Sequence, residues 1–209
     1  EAGVQTIAGF GWRNPSPQPP PTRGGGKRRC SPPALAPLAA LAGAAPVKPA
    51  SFAYLRAGSL DEARDALHQE GSDARILAGG QSLLPMLNMR LARPALLVDV
   101  MHLPALQRID DSDGQVRIGA GVRQRDMEEW PGLAQRLRLL AATLPWVGHV
   151  QTRSRGTLCG SVAHADPSAE VPLVLVALGG EVHLRSRRRS RKIAASDFFV
   201  GMMATACEP

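Results

Sequence analysis

The sequence has 209 residues, of which 44% are hydrophobic and 21% charged, as in ordinary globular domains. This length allows one or two domains with a sizeable core, and no apolar run approaches the roughly 18 residues of a membrane-spanning helix. The three cysteines, Cys30, Cys159 and Cys207, lie far apart without a C-x-x-C pair. This argues against a structural zinc site, an iron–sulfur cluster and a disulfide scaffold, and we expect a reducing, cytoplasmic setting.

The net charge of +7 is concentrated in two segments. Residues 1–47 contain five basic residues and one acidic residue, and residues 185–192 contain six basic residues and no acidic one. The rest of the chain is therefore mildly acidic. A nucleic-acid-binding face usually spreads Lys and Arg along a groove with aromatic residues between them, and the segment 185–192 contains no aromatic residue. We expect no nucleic-acid partner, and keep a basic nucleic-acid binder as an alternative.

Residues 1–47 hold nine of the 18 prolines and seven of the 21 glycines. Such a composition buries too little apolar surface to offset the entropy of ordering, so we expect this tail to be disordered. Part of it resembles a signal peptide, but that part begins too deep in the chain and Pro37 interrupts it. A low-complexity linker or an extended reading frame is the simpler interpretation. The first residue is Glu1 and not methionine, which is also compatible with a fragment.

From residue 48 onward the sequence becomes regular. Residues 52–56 predict a strand, and Ser59 with Glu62 three residues later predicts a capping box that opens a helix. Apolar residues at helical spacing mark the buried face of that helix, and Gly71 ends it. Further strands are predicted at 75–78, 96–100 and 116–118.

The second half of the chain mixes helices and strands without a regular strand–helix–strand rhythm. A helix is predicted from Pro131. Its apolar face carries Leu133, Leu137, Leu140 and Leu144. Residues 172–178 are apolar throughout, so they form either a buried helix or a core strand. Residues 181–193 predict a hairpin with a basic turn, and the mixture favours an α+β fold over a doubly wound parallel sheet.

A glycine-rich segment, here called the first loop, follows the strand predicted at 75–78. It consists of Leu77, Ala78, Gly79, Gly80, Gln81, Ser82, Leu83 and Leu84. Consecutive glycines let successive backbone N–H groups turn toward one point, and a helix that begins near Ser82 would add its positive end. The first loop therefore suits a phosphate, with Ser82 as a hydroxyl donor or helix cap. The alternative is an ordinary tight turn with a capping serine.

A second loop of similar design spans residues 155–161, with hydroxyl groups at Thr157 and Ser161. Two such loops in one small domain fit two phosphates, or a pyrophosphate held from both sides. Carboxylates would repel a phosphate, so Asp166 or Glu170 is better suited to ribose hydroxyls. The alternatives are an N-cap at Asp166 and, at Glu170, a first-turn acid that complements a helix dipole.

Other nucleotide-binding and catalytic motifs are missing from the sequence. There is no G-x-x-x-x-G-K-[ST] sequence, and the dinucleotide fingerprint that begins at Gly119 fails at Gln124, where its third glycine would fall. The five histidines are scattered, with no Ser-His-Asp or Cys-His set and no visible metal site. We expect Cys159 to be a small packing residue rather than a nucleophile.

Four segments, taken together, resemble a known family. They are AGGQSLLPMLNMRLARP (78–94), IGAGVRQRDME (118–128), RGTLCGSVAHADPSAEVP (155–172) and ASDFFVGMMATACEP (195–209). In this order they resemble the FAD-binding medium subunit of molybdenum hydroxylases, a group that includes aerobic carbon monoxide dehydrogenase and xanthine- and N-heterocycle-oxidising enzymes. The resemblance covers about residues 48–209.

The resemblance implies an α+β, PCMH-type FAD-binding domain of two subdomains, with FAD in the cleft between them. It implies that backbone amides of the first loop hold the pyrophosphate and that the second loop makes a further contact. Val147 follows Trp146 where the family places a residue beside the flavin, although Trp146 is also compatible with a core position. The implied cofactor-binding residues are Leu77, Ala78, Gly79, Gly80, Gln81, Ser82, Leu83, Leu84, Val147, Thr157, Leu158, Cys159, Gly160, Ser161, Asp166 and Glu170.

The resemblance also implies partners. FAD receives electrons from the 2Fe-2S clusters of a small subunit and passes them to an external electron acceptor, while a molybdopterin-containing large subunit oxidises the substrate. The flavin subunit then needs only to bind, orient and polarise its cofactor. The alternative is a truncated, non-catalytic remnant that cannot hold FAD alone, because relatives continue beyond Pro209 into a further domain.

The sequence departs from the family pattern at several places. Cys159 stands where many relatives carry glycine and requires non-glycine backbone angles there, and Ser154 stands where asparagine is common. The basic segment 185–192 lies where relatives have a polar turn, and is either a solvated turn or a docking site for an acidic face of a partner subunit. Residues 1–47 are foreign to the family, although residues 3–9 resemble the end of its iron–sulfur subunit.

Overall fold

The computed structural model describes residues 7–12 and 48–207. Within these ranges the strands are β1 (Ile7–Trp12), β2 (Ala53–Arg56), β3 (Ala74–Leu77), β4 (Leu96–Asp99), β5 (Ile109–Ser112), β6 (Gln115–Ile118), β7 (Glu181–Arg185), β8 (Ser190–Ala194), β9 (Phe199–Gly201) and β10 (Ala204–Thr205). The helices are α1 (Leu60–Glu70), α2 (Leu83–Asn88), α3 (Gln124–Glu128), α4 (Leu133–Arg136), α5 (Arg138–Thr143), α6 (Val150–Arg153), α7 (Leu158–His164), α8 (Glu170–Ala177) and α9 (Ala195–Phe198). This mixture confirms the predicted α+β class.

A small parallel sheet with the strand order β2–β4–β3 begins the domain. Strand β4 is central and is nearly all buried, because its residues LLVD lie between two neighbouring strands. The strands predicted at 52–56, 75–78 and 96–100 are confirmed to within one residue at each end. The parallel arrangement brings the carboxyl ends of the three strands to one edge of the sheet.

Helix α1 connects β2 to β3 and contacts the parallel sheet. The Ser59 hydroxyl accepts a hydrogen bond from the Glu62 N–H at 3.0 Å, as predicted, whereas the Glu62 carboxylate accepts from the N–H of Gly58 at 2.7 Å and not from that of Ser59. At the other end Gly71 adopts φ 57°, and its N–H donates to the Leu67 carbonyl. The predicted start and end of the helix are both confirmed.

The second sheet is antiparallel and has the strand order β5–β6–β1–β7–β8. The predicted hairpin is formed by β7 and β8, and β6 is the strand predicted at 116–118. Strand β1 lies between β6 and β7 and pairs with both. Two strand edges thus offer backbone partners to the segment Ile7–Trp12, and disorder of the tail stays a prediction. The rest of the predicted tail lies outside the described residues.

The helix predicted from Pro131 is divided into α4 and α5 at Leu137, which has φ −133° and ψ 59°. All four leucines of the predicted apolar face are nevertheless buried. The Leu137 N–H donates to the Leu133 carbonyl at 2.8 Å, and the Ala141 N–H donates to the Leu137 carbonyl at 2.9 Å. The spacing therefore predicted the buried face correctly, while the helix is interrupted at a single residue.

The apolar residues 172–178, which the sequence left open between helix and strand, belong to helix α8. This helix contacts α5, α7 and α9. Neighbours on several sides account for a helix that is apolar nearly all round. Leu173 and Val176 of this helix remain exposed.

The basic turn connects β7 to β8 and folds back toward helix α1. The Arg187 Nε lies 3.3 Å from the Asp65 Oδ1, and the Ser186 N–H donates to the Arg189 carbonyl at 2.8 Å. Arg188 and Arg189 are exposed. One arginine of the turn is thus engaged within the domain, and a role in subunit docking stays a prediction for the others.

Candidate functional site

The first loop leads from the carboxyl end of β3 into α2. Gly80 has φ +71°, a conformation that glycine adopts without steric cost, and its carbonyl accepts from the Leu84 N–H at 3.0 Å. The Gln81 amide donates to the Gly79 carbonyl at 3.1 Å. Ser82 precedes the first helical residue but makes no capping hydrogen bond through its side chain. The interpretation of Ser82 as a helix cap is therefore wrong.

The second loop becomes the first turn of helix α7 rather than an extended loop. Thr157 is the N-cap of this helix, and its buried hydroxyl accepts from the Gly160 N–H at 2.9 Å. The Gly156 carbonyl accepts from the Gln124 N–H at 2.8 Å, and the Leu158 N–H donates to the Val122 carbonyl at 3.3 Å. These backbone bonds fix the second loop to the segment that enters α3.

The two loops touch each other at Gly79. A Cβ atom added at Gly79 would lie 2.1 Å from the Arg155 carbonyl oxygen and 2.6 Å from the Gly156 Cα. Real Cβ atoms do not approach backbone atoms this closely, so any side chain at Gly79 would push the loops apart. The absence of a side chain at this one position is what allows the first loop to lie directly against the second.

A cavity of about 680 Å³ opens at this contact. Its wall combines the first loop, the start of α7, the start of α8 and the turn between α5 and α6. The predicted site residues that line it are Ala78, Gly79, Gly80, Gln81, Ser82, Leu83, Val147, Thr157, Cys159, Gly160, Ser161 and Glu170. The structure thus brings twelve of the sixteen predicted residues to one place.

The other four predicted residues do not line the cavity. Leu77 ends strand β3, Leu84 is partly exposed on α2, and Leu158 is buried in the hydrophobic core. Asp166 accepts from the Ser168 N–H at 2.9 Å and from its hydroxyl at 2.7 Å, and these bonds hold the pKa of the carboxyl below its ordinary value. The N-cap of α8 is Ala169, so the capping role considered for Asp166 is wrong.

Cys159 is a packing residue, as the sequence predicted. Its side chain is buried, with Sγ 3.5 Å from the Gly119 carbonyl oxygen, and burial raises the pKa of the thiol well above its ordinary value. A protonated, buried thiol is unreactive. Because the residue lies inside helix α7, its backbone needs no conformation that would require glycine.

The turn that carries Val147 is held by a buried ion pair. The Arg153 guanidinium donates to the Val147 carbonyl at 3.1 Å, and its Nε lies 3.0 Å from the Glu128 Oε1. Gly148 follows with φ +51°, and both Val147 and Gly148 line the cavity. Trp146 is 79% exposed, so the core position considered for it is wrong.

Sequence reasoning missed several residues of the cavity wall. Gln124 is buried at the start of α3, Thr152 lies on α6, and Met203 comes from the turn between β9 and β10, where its N–H donates to the Ala165 carbonyl at 3.1 Å. None of these lies in a glycine-rich segment. The sequence signals at Gln124 were its place in the segment 118–128 that resembles the family and its position after Gly119 and Gly121, where a dinucleotide fingerprint would have glycine.

The geometry so described has a counterpart among known proteins. A sequence profile of the family described as the FAD binding domain in molybdopterin dehydrogenase matches residues 50–209, which is most of the chain. The chain belongs to this family. The resemblance inferred from the four sequence segments is thereby confirmed, together with FAD as the cofactor of the domain.

Individual members of the family are closely similar to this chain. It is 42% identical over 163 residues to the 6-hydroxypseudooxynicotine dehydrogenase complex subunit alpha of Paenarthrobacter nicotinovorans, a match that covers 78% of this chain and 55% of that protein. It is 37% identical over 160 residues to the carbon monoxide dehydrogenase medium chain of Hydrogenophaga pseudoflava, with coverage of 77% and 56%. The chain therefore spans about half the length of the curated relatives it matches.

Solved structures of the family share the fold. Quinoline 2-oxidoreductase from Pseudomonas putida 86 matches with a TM-score of 0.75 and 39% identity, over 77% of this chain and 56% of that chain. Cyanide-inactivated Cu,Mo-CO dehydrogenase matches with a TM-score of 0.75 and 36% identity over the same shares. In the described ranges, none of the helices combines the length and apolar character of a membrane-spanning segment.

Proposed function

We propose that this chain holds FAD in the cavity between the first and second loops and serves as the electron-transfer component of a molybdenum hydroxylase complex. The observation that carries the proposal is the backbone contact of Gly79 with Arg155 and Gly156. It joins two loops that are distant in sequence around one cavity, whose volume lies in the usual range of cofactor sites.

The residues at the loop contact fit a pyrophosphate. Helices α2 and α7 both begin at the cavity wall, so each brings the partial positive charge of its N-terminus there, while the N–H groups of Leu84, Leu158 and Gly160 are already bonded within the protein. The glycines leave their backbone open to close approach, and Ser82 and Ser161 add hydroxyl groups. This arrangement supports anion binding at the meeting point of the two loops.

The remaining predicted contacts belong to the same proposal. Glu170 lines the cavity at the first turn of α8, where its carboxylate suits a sugar hydroxyl, and Val147 presents an apolar wall for the flavin ring. Asp166 stays a predicted contact, although Ser168 already engages its carboxylate. Leu77, Leu84 and Leu158 would support the loops from outside the cavity.

FAD, when bound, supplies the redox chemistry, and the protein contributes binding, orientation and exclusion of water. We propose that electrons come from a 2Fe-2S subunit and leave to an external acceptor, while a molybdopterin-containing subunit oxidises the organic substrate. The relatives that support this assignment include subunits of a 6-hydroxypseudooxynicotine dehydrogenase complex and of a caffeine dehydrogenase. The two loops that resemble the family line the cavity, and the basic turn contains neither of them. We therefore propose no nucleic-acid partner.

The second candidate is a remnant that cannot hold FAD alone, and the observation that favours it is the coverage of about half of each relative. Titration of the full 209-residue chain with FAD, monitored by the quenching of flavin fluorescence, distinguishes the two candidate functions. We expect saturable binding, and weaker binding of FMN because it lacks the pyrophosphate. Absence of saturable FAD binding would favour the remnant and contradict the proposal that the two loops of this chain hold FAD without further subunits.

A further inference from the structure

One buried polar side chain in the cavity wall has an oxygen without a hydrogen-bond partner among the described residues. Gln124 is 4% exposed, and its Oε1 accepts no hydrogen bond from the described residues. Its backbone N–H is already used by the Gly156 carbonyl at 2.8 Å, so the residue is firmly placed at the start of α3. A buried amide oxygen without a partner lowers stability, and native proteins rarely keep one without a reason.

The surroundings of this carboxamide are the two loops. A Cβ atom added at Gly156 would lie 3.5 Å from the Gln124 Oε1 and 3.5 Å from the Gln81 Cγ. Gln124, Gln81 and Gly156 all line the cavity. The unpartnered group therefore lies where the first and second loops meet, beside the proposed position of the pyrophosphate.

An ionisable side chain of the protein lies close to each of the other buried polar atoms that lack a hydrogen bond. The Arg153 Nε lies 3.0 Å from the Glu128 carboxylate, and these two residues neutralise each other. The His183 Nε2 lies 3.5 Å from the Glu181 Oε2. Within residues 7–12 and 48–207 the Gln124 Oε1 has no such neighbour, and Gln124 is the one of these residues that lines the cavity.

We infer that Gln124 is a cofactor-binding residue whose carboxamide forms a hydrogen bond with a hydroxyl group of FAD next to the pyrophosphate. Phosphate oxygens only accept hydrogen bonds, whereas the ribityl and ribose hydroxyls adjoining them can donate to an amide oxygen. Rotation of the last side-chain torsion exchanges oxygen and nitrogen, so the neutral carboxamide can also donate without adding charge near the phosphates. This inference rests on the proposed function.

Substitution of Gln124 by methionine tests the inference, because methionine keeps the length of the side chain and removes its polar group. In the full-length chain we expect FAD to bind about tenfold more weakly, the loss of one hydrogen bond. Without FAD we expect the melting temperature to stay equal or to rise, because an unpartnered buried polar group has been removed. A merely structural role for Gln124 would not produce this combination of opposite effects.

The control is Gln135→Met, the same substitution at an exposed position on α4, which should change neither quantity. Unchanged FAD affinity in Gln124→Met, or a melting temperature without FAD that falls in both Gln124→Met and Gln124→Leu, overturns the inference. The rise in melting temperature that FAD causes within each variant gives a second measure of affinity. Failure of the wild type and of Gln135→Met to bind FAD overturns the proposed function itself, and this inference with it.

Discussion

At the scale of single residues, the site depends on backbone atoms that come close because side chains are small or missing. Gly79 allows the first loop to reach the Arg155 carbonyl, and Gly80 adopts a left-handed conformation. Thr157 then fixes the second loop by capping α7 from a buried position. Chemistry at such a site comes from N–H groups and helix ends, so few of its residues have reactive side chains.

The cap at Thr157 makes a specific prediction. Thr157→Val keeps the shape of the side chain but removes the oxygen that accepts from the Gly160 N–H. We expect the free energy of unfolding to fall by about 1–2 kcal/mol and FAD to bind more weakly, because the first turn of α7 loses its anchor. Urea denaturation and FAD titration of the same preparation measure both.

Thr157→Ser is the matched control, since serine retains the accepting oxygen. It should keep most of the stability and of the FAD affinity. If Thr157→Val and Thr157→Ser lose the same amount, the methyl group of Thr157, not its hydroxyl, is what the second loop requires.

Residue patterns predicted the two loops but not every group between them. Glycines and hydroxyl residues cluster in sequence, so Gly79, Gly80 and Thr157 could be recognised without coordinates. Gln124 could not, because its importance comes from the contact of α3 with the second loop, which no local pattern encodes. Its partner on that loop, Gly156, lies far along the chain.

At the scale of elements, strand β1 completes the antiparallel sheet from outside the segment that matches the family. It hydrogen-bonds to β6 on one edge and to β7 on the other. Removal of β1 would leave both strands with unpaired N–H and C=O groups, which favours aggregation and costs stability. Residues before the family match therefore contribute to the fold.

Two truncations test the contribution of β1. A chain that begins at residue 13 lacks the strand, and one that begins at residue 7 retains it. We expect the shorter chain to melt about 10 °C lower or to lose its cooperative transition, because a central strand contributes several kcal/mol. Equal melting temperatures for the two chains would show that β6 and β7 do not depend on β1.

The hairpin of β7 and β8 predicts a dependence of stability on pH. His183 faces Lys192 across the hairpin, and burial, with the charge of Lys192 and a smaller effect of Arg117, lowers its pKa from the ordinary 6.5, against the opposing effect of Glu181. The unfolded chain therefore binds the proton more readily. Stability should fall as the pH drops below about 6.5.

His183→Gln removes this titration while keeping a polar side chain of similar length. The melting temperature of the variant should depend less on pH between 7 and 5 than that of the wild type. Identical pH profiles for the two proteins would mean that His183 has the same proton affinity in the folded and unfolded states.

Local pattern predicted the longer elements between residues 48 and 207, but not the short elements β5, α3, α6, α9, β9 and β10. Strands β2 to β4, helix α1 and the hairpin have caps, apolar runs or alternation that act within a few residues of each other. Three features depended on distant contacts instead: the break at Leu137, the helical form of residues 172–178 and the pairing of β1. The pairing of β1 could not be predicted from the sequence, because a glycine- and proline-rich composition predicts disorder. The composition carries no sign of the two strand edges, on β6 and β7, with which β1 pairs.

At the scale of the whole molecule, the parallel sheet, several short helices and the turn between β9 and β10 border one cavity. The first loop is delivered by the parallel sheet and the second by the helical segment after β6, so the cavity exists only when both parts are folded together. FAD that binds there should stabilise the entire domain.

The most direct test of whether the two loops together hold FAD is an absorption spectrum. It is taken from the full chain after mixing with FAD and desalting. The wild type and Gly201→Ala, whose added Cβ would meet only ordinary contacts, should retain the flavin bands. Gly79→Val should lose them, because its Cβ would lie 2.1 Å from the Arg155 carbonyl oxygen. Retention of flavin by Gly79→Val at the wild-type level, or its absence from the wild type, would contradict the account.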